Sequence, residues 1–402
     1  MALEHHFRAG QRVFVAGSSN EPTGLLQALA NRPLPGDLTV IHFPIGALNR
    51  QDFTTWHTPC EVTPFFMSPT LAKAAPALVH FLPMQMRAVF DYLSSNTDVY
   101  LMQVARDRDG LLRLGPNADF HAAAMSSATT IIAQLNTNMV APAGAPLIDA
   151  GQLDFVFESD MAAPTLTEPT PDAAAEQIGK LVADLIQDGD CLQTGIGAIP
   201  TAVLNQLGEK NDLGMHGGIV DDAGMRLIAR GNITGSNKAR DPGKHITGMV
   251  LGSDALHAWL AEEPDVILCG ANHTHEASVI RELDGFVSIN SAVQVDLHGQ
   301  VNAEMVDGRQ ISGTGGSVDF MRAARMASGG RSIVALTATA RGGSVSRIVP
   351  QVEMVTALRT DIDIVVTEYG VAHLRDLPLK QRAQALIEIA APPFREALSG
   401  QS

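Results

Sequence analysis

The sequence predicts an α/β protein of two similar open domains, residues 1–165 and 166–402. Three observations carry this prediction. Short β-rich runs alternate with helical patterns along the chain. A strand, glycine turn and helix start occurs twice, as GSSNEPTGLLQAL at 17–29 and GIGAIPTAVLNQL at 195–207. Each copy reaches Pro-Thr five residues after its first glycine, then places leucines at matching helical positions: Leu26 with Leu204, Leu29 with Leu207. A second pair follows in the same order. GPNADFHAAAM precedes TTIIAQL, and GGSVDFMRAARM precedes RSIVALT, each with an Asp-Phe, an Ala-rich helix start and a buried strand. The copies are spaced unequally, 17 to 195 against 119 to 319, so insertions separate the halves.

In the first half RVFVAG (12–17), LTVIHF (38–43), ALVHFL (77–82), VYLMQVA (99–105), TIIAQL (130–135) and FVFES (155–159) read as strands. Several are apolar on both faces, as strands of a helix-covered parallel sheet are. The stretch 161–175, rich in Pro, Thr and Ala, reads as a linker, with Asp172 capping the helix AEQIGKLVADLI. In the second half CLQTG, DVILCG, FVSIN, AVQVDL, SIVALT and DIDIVVTEYG read as strands before a closing helix, KQRAQALIEIA.

The chain has 402 residues, 45% of them hydrophobic, enough for a large core. A formal net charge of -15 argues against a nucleic-acid or anionic-membrane surface. The N-terminal MALEHHFRAGQR lacks an apolar signal core, and no run approaches the ~18 apolar residues of a membrane span. A cytoplasmic protein is expected. Cys60, Cys191 and Cys269 lie far apart without metal-type spacing and read as small buried apolar residues. Cys60, beside Glu61, is the one candidate for reactivity. Glu61 itself, in TPCEVTPFF, reads as part of a surface loop, with reach to a ligand site from the first domain as the alternative.

In doubly wound folds ligands bind at the carboxyl ends of strands, where the glycine turns lie. In VFVAGSSNEPTG, Ser19 or Asn20 is placed to cap a helix with Pro22 in its first turn. In LQTGIGAIPTAV, Gly195 and Gly197 allow close approach of a ligand, and the helix that follows presents free N–H groups. Such donors suit a phosphate, a carboxylate or a developing oxyanion. A purely structural tight turn accounts for the same glycines. The motif is neither a Rossmann fingerprint, lacking the third glycine, nor a P-loop, lacking Gly-Lys-Ser/Thr. SGTGGSVDFMRAA (312–324) offers a second ligand-lining turn through Gly313, Gly315 and Gly316. VVTEYGVAHL places Glu368 at the end of an apolar strand.

Together these stretches resemble the acetyl-CoA hydrolase/4-hydroxybutyrate CoA-transferase family, a class I CoA-transferase branch. The residues that carry the resemblance are DGDCLQTGIGAIPTAV, HITGMVLGS, VSINSAVQVDLHGQVNAE, GRQISGTGGSVDF, GGSVSRIVP, DIDIVVTEYGVAHLRD and the closing LKQRAQALIEIAAPPFREAL. The N-terminal half matches more weakly. The resemblance implies two CoA-transferase-type domains with the active site in the cleft between them. It also implies an acyl-CoA thioester and a carboxylic acid as small-molecule substrates, a homodimer or homotetramer, and no metal or permanently bound cofactor. In that family a glutamate carboxylate attacks the thioester and carries CoA as glutamyl-CoA, splitting one hard exchange into easier steps. The glycine turns would hold the thioester oxygen, and Asn290 and Gly316 lie in segments that match the acyl pocket.

This sequence departs from the family at the nucleophile. In LGMHGGIVDDAGMRLI, His216 matches, Gly217 replaces a hydroxyl residue, and Gly218 stands where the glutamate belongs. Asp222 matches the family aspartate and Asp221 is its extra neighbour. The family's Asp-Tyr-Val-Asn reads Asn272-His273-Thr274-His275 here, followed by Glu276. His-x-His with Glu276 supplies no clear third metal ligand. Three readings stand. The chain is a CoA-transferase in which Asp221, Glu304 or Glu368 supplies the carboxylate, or in which the acids exchange in a ternary complex. Alternatively it is a hydrolase in which His275 or Glu276 activates water, or a CoA-binding homologue without turnover.

Overall fold

The computed structural model describes residues 2–56 and 60–401, and these form two compact units. Unit 1 comprises Met1–Thr167 and Ile246–Thr274; unit 2 comprises Glu168–His245 and His275–Ser402. Where a single division at 165/166 was expected, the chain returns to unit 1 for residues 246–274. Main-chain bonds account for the return. The Ala118 N–H donates to Gly248 O (2.8 Å), Val250 N–H to Pro116 O (2.9 Å) and Leu268 N–H to Gly144 O (3.0 Å).

Unit 1 is built on a seven-stranded sheet: β1 (Arg12–Val15), β2 (Thr39–His42), β3 (Glu61–Pro64), β4 (Val99–Arg106), β5 (Leu112–Leu114), β6 (Thr130–Val140) and β7 (Phe155–Ser159). Its order is β3-β2-β1-β4-β6-β7, all parallel, with β5 antiparallel on β4. Helix α1 (Thr23–Ala30) follows β1, α2 (Met86–Leu93) precedes β4, and α3 (His121–Ser127) precedes β6. The core joins Val13, Val15, Leu26, Leu29, Val40 and Leu101.

Unit 2 opens with α4 (Ala173–Ala183), capped as expected by Asp172, which accepts the Ala175 N–H (2.8 Å). Then come β8 (Cys191–Thr194), α5 (Ala198–Asn205), β9 (Gly214–Met215), α6 (Asp222–Ala229), β10 (Phe286–Ser291), α7 (Ser317–Met326), β11 (Arg331–Ala335), β12 (Ile364–Thr367), β13 (Gly370–His373) and α8 (Leu379–Ile389). The sheet order is β13-β12-β11-β10-β8-β9, parallel except for the β12–β13 hairpin. Leu204 and Leu207, like Leu26 and Leu29, are fully buried, so both repeat copies spend their matched leucines on the core.

Several expectations are corrected. ALVHFL forms no strand: Pro76–Leu78 is a 3-10 turn, and the residues after it run beside β3 through the bridge Val62 to Val79 and the His80 N–H to Val62 O and Leu82 N–H to Pro64 O bonds. DVILCG does form a strand, Val266–Leu268, but it pairs with His245–Thr247 rather than joining the main sheet of unit 2. AVQVDL pairs with Val301–Asn302 and Ile348–Val349 in a separate small sheet. Glu61 begins β3 rather than lying in a loop, though its carboxylate stays exposed beside His80 (3.5 Å); Thr58 and Pro59 of that stretch lie outside the described residues. Cys60 is buried, its thiol donates to Phe53 O (2.6 Å), and burial pushes its pKa up to about 11, which removes it as a reactive thiolate. Neither Ser19 nor Asn20 caps α1. Pro22 is the N-cap, and Ser18–Asn20 form a buried 3-10 turn. No helix among the described residues is long and apolar enough to cross a membrane.

Candidate active site

The first glycine turn of unit 2 lies at the carboxyl end of β8 in its parallel sheet, where doubly wound folds bind ligands. After β8 the chain passes through Gly195, Ile196 and Gly197 into α5. Gly197 has φ +114, a conformation open to glycine alone, and caps α5 without a side chain. A β-carbon at Gly195 or Gly197 would meet nothing within 4 Å, and Ile196 is 42% exposed. This turn faces open space. The first turn of α5 contributes the main-chain N–H groups of Ala198 and Ile199; Pro200 has none to give.

Behind the turn lies a buried polar group on β8 and β10. Asn290 Nδ2 donates to Gln193 Oε1 (3.1 Å) and Ser288 Oγ (2.8 Å), and Ser288 Oγ donates to Gln193 Oε1 (2.9 Å). Asn290, expected in the acyl pocket, is thus held by its own sheet. Gln193 and Ser288 escaped the sequence reading; the signal was a polar residue inside a run otherwise apolar on both faces. The loop after β9 crosses this group: a β-carbon at Gly217 would sit 3.1 Å from Gln193 Cγ.

Gly218 comes next and is buried. A β-carbon there would lie 3.3 Å from both Cε1 and Nε2 of His275. The same ring covers the other glycine turn, where a β-carbon at Gly316 would fall 2.2 Å from His275 Nε2. Phe320, in the first turn of α7, backs the imidazole with ring centroids 4.4 Å apart. The glycines at 218 and 316 are therefore the two surfaces against which one buried imidazole packs. His275 is 3% exposed, and burial pushes its pKa down to about 3, so the ring is neutral. Gly315 takes φ +54, and Gly313 is buried in the same turn.

The candidate carboxylates take structural posts. Asp221 is the N-cap of α6 and accepts the Gly224 N–H (2.8 Å). Burial pushes its pKa up to about 6; the Gly224 bond opposes this, Asp222 and Glu168 add to it, and Arg226 opposes it. Glu276 caps the short helix Ala277–Ile280 through Ser278 N (3.2 Å) and Oγ (3.0 Å). Glu304 accepts from Gln310 Nε2 (3.1 Å) on one oxygen and Thr356 Oγ1 (2.8 Å) on the other. Glu368, at the end of β12, accepts the Ala338 N–H (2.8 Å). The structure thus brings His275 together with Gly218 and Gly316, and gives the four acids separate hydrogen-bonding tasks.

Comparison with known proteins places the chain among CoA-transferases and their relatives. The profile of the acetyl-CoA hydrolase/transferase C-terminal domain matches residues 252–402. The 4-hydroxybutyrate coenzyme A transferase of Clostridium kluyveri is 41% identical over 308 residues, covering 76% of this chain and 72% of that protein. Butyryl-CoA:acetate CoA-transferase of Anaerostipes caccae is 36% identical over 339 residues, 81% of this chain and 75% of that one. Among solved structures, RipA from Yersinia pestis superposes with a TM-score of 0.91 at 28% identity, covering 99% of this chain and 95% of the other.

Proposed function

This chain belongs to the acetyl-CoA hydrolase/transferase family and is an acyl-CoA:carboxylate CoA-transferase-like enzyme, and from that premise we propose that unit 2 holds a short-chain acyl-CoA at Gly195–Gly197 and Gly313–Gly316. The observation that carries the reading is the open turn at Gly197, whose φ of +114 suits glycine alone and whose β-carbon position meets no neighbour. Main-chain donors at the start of α5 suit the oxygen of a thioester carbonyl, where negative charge develops during acyl exchange. Asn290 stays a candidate for the acyl pocket, its amide held by Gln193 and Ser288 of the same sheet. We read the enzyme as cytoplasmic, as a homodimer or homotetramer, and as working without a resident cofactor or metal, with CoA entering and leaving as substrate.

The hydrolase alternative asks His275 or Glu276 to activate water. A general base works best with a pKa near the operating pH. An imidazole held near 3 is a poor proton acceptor at neutral pH, and Glu276 is occupied as a helix cap. Both facts favour transfer. The test is to incubate the protein with acetyl-CoA or butyryl-CoA, with and without a panel of carboxylic acids, and to identify every CoA species by mass spectrometry. A new acyl-CoA that depends on the added acid is expected. Free CoA released at the same rate without any acid would replace this reading by hydrolysis.

A further inference from the structure

We infer that CoA transfer here proceeds with no enzyme-bound CoA: the acceptor carboxylate attacks the donor thioester directly, and His275 fills the space that a side chain at residue 218 would need. The inference rests on the transferase reading above. It begins from a packing fact. Gly218 has no carboxylate, and a β-carbon there would press on the His275 ring at 3.3 Å. That ring is backed by Gly316, whose own β-carbon position lies 2.2 Å from Nε2, and by Phe320, tilted against it at 4.4 Å between centroids. The side-chain volume beside position 218 is supplied by His275.

The other acids in unit 2 that could stand in for the nucleophile are committed. Asp221 and Glu276 hold helix N-termini, Glu304 has both oxygens bonded, and Glu368 fixes the backbone of Ala338. Using Glu304 as a nucleophile would release a side-chain donor that it now satisfies, and the other three would have to attack while one oxygen keeps holding a main-chain donor.

Exchange does not need a protein nucleophile. The acceptor carboxylate oxygen bonds to the donor's thioester carbon, and the C–S bond breaks, leaving a mixed anhydride and CoA thiolate. The thiolate then bonds to the acceptor's carbonyl carbon, and the C–O bond on that side breaks. The products are the acceptor's CoA thioester and the donor's carboxylate. No proton is gained or lost, and the oxygen that bridged the anhydride leaves on the donor acid. The protein's task is to hold two substrates in reacting geometry, which by itself supplies a large part of such a barrier.

Oxygen labelling tests this. With enzyme in excess over acyl-CoA, one turnover is run against an acceptor acid carrying 18O in both carboxylate oxygens. Direct exchange puts one 18O into the released donor acid in that first turnover, and intact-protein mass spectrometry shows no CoA adduct. A protein carboxylate nucleophile would instead release unlabelled donor acid and take one 18O into the protein, and with the acceptor omitted it would leave the protein heavier by CoA; those results overturn the inference while leaving the transferase reading intact. Failure to form any new acyl-CoA with any acid removes both. Gly218→Glu alone is expected to form no adduct, because the new side chain meets His275. An adduct in that single variant would overturn the role given to the imidazole.

Discussion

The turns at 17–22 and 195–200 share a sequence pattern and a position, each leaving a parallel strand to enter a helix, yet they have opposite surroundings. In unit 1 Ser18, Ser19 and Asn20 are 0–1% exposed. Ser18 adopts φ +58 and donates its N–H to Asn49 Oδ1 (2.8 Å), while Glu21 meets His42 at 3.4 Å, both side chains buried. Gly17 is a glycine because Phe43 O would lie 2.2 Å from its β-carbon. In unit 2 the glycines have no neighbour to avoid, and the backbone conformation alone demands Gly197. One copy of the motif has become core; the other remains a surface with donors. A shared motif fixes the path of the chain, and the packing around it decides whether a ligand can use it.

The sharpest way to break this contrast is at the glycines. Gly17→Ala should cost about 3 kcal/mol, since a backbone carbonyl must move; the shift in denaturant midpoint measures it. A loss below about 0.5 kcal/mol would mean the first turn is as free as the second. Gly197→Ala should cost about 2 kcal/mol through strain alone and should also raise the KM for acyl-CoA. A KM unchanged beside that stability loss would show a turn that is structural only.

Protonation sharpens the contrast further. His275 is neutral in the fold, held near 3 against an ordinary 6.5. The unfolded chain therefore binds more protons below about pH 6.5, and stability falls as pH drops from there toward 3, by at most about 1.4 kcal/mol per pH unit. Asp221 has the opposite sign. With its pKa raised from 3.8 to about 6, the folded chain holds the extra proton, and this contribution fades as pH rises between about 4 and 6. The two slopes oppose each other in that window. Asp221→Asn, which keeps the cap, should steepen the acid loss, and His275→Asn should flatten or reverse it; denaturant midpoints from pH 4 to 7 for each variant read this directly. The smallest effect belongs to Gly195→Ala. It should stay within about 0.5 kcal/mol of the parent in stability while still raising KM, so any change in turnover is separable from folding.

The repeated strand–turn–helix units were legible because their signals are local: a buried apolar strand, a glycine, then leucines at helical spacing. The second repeated pair was legible in order but not in register. Phe120 is the N-cap of α3, whereas Asp319 and Phe320 lie inside α7. ALVHFL misled because an apolar run without alternation has no intrinsic period. The absence of a carboxylate at 218 could be read directly from the sequence. That His275 occupies the neighbouring space could not, because the contact joins residues far apart in the chain and depends on how α7 places Phe320. The helix-capping roles of Asp221 and Glu276 were within reach, each lying just ahead of a helix start, but a search for a missing nucleophile ranks acids by reactivity rather than by posture.

The return of residues 246–274 to unit 1 bears on how the protein is made. A ribosome delivers the chain in order, and the first unit lacks its last segment until Thr274 has emerged, by which time Glu168–His245 of the second is already free of the exit tunnel. At typical synthesis rates that leaves the first 167 residues waiting roughly five to twenty seconds for their missing part. During that wait Pro116, Ala118 and Gly144 lack the main-chain partners that residues 246–274 later supply. Neither unit can be cut out as one continuous fragment, and a nascent chain stalled before residue 246 exposes an unfinished surface to whatever chaperone meets it first.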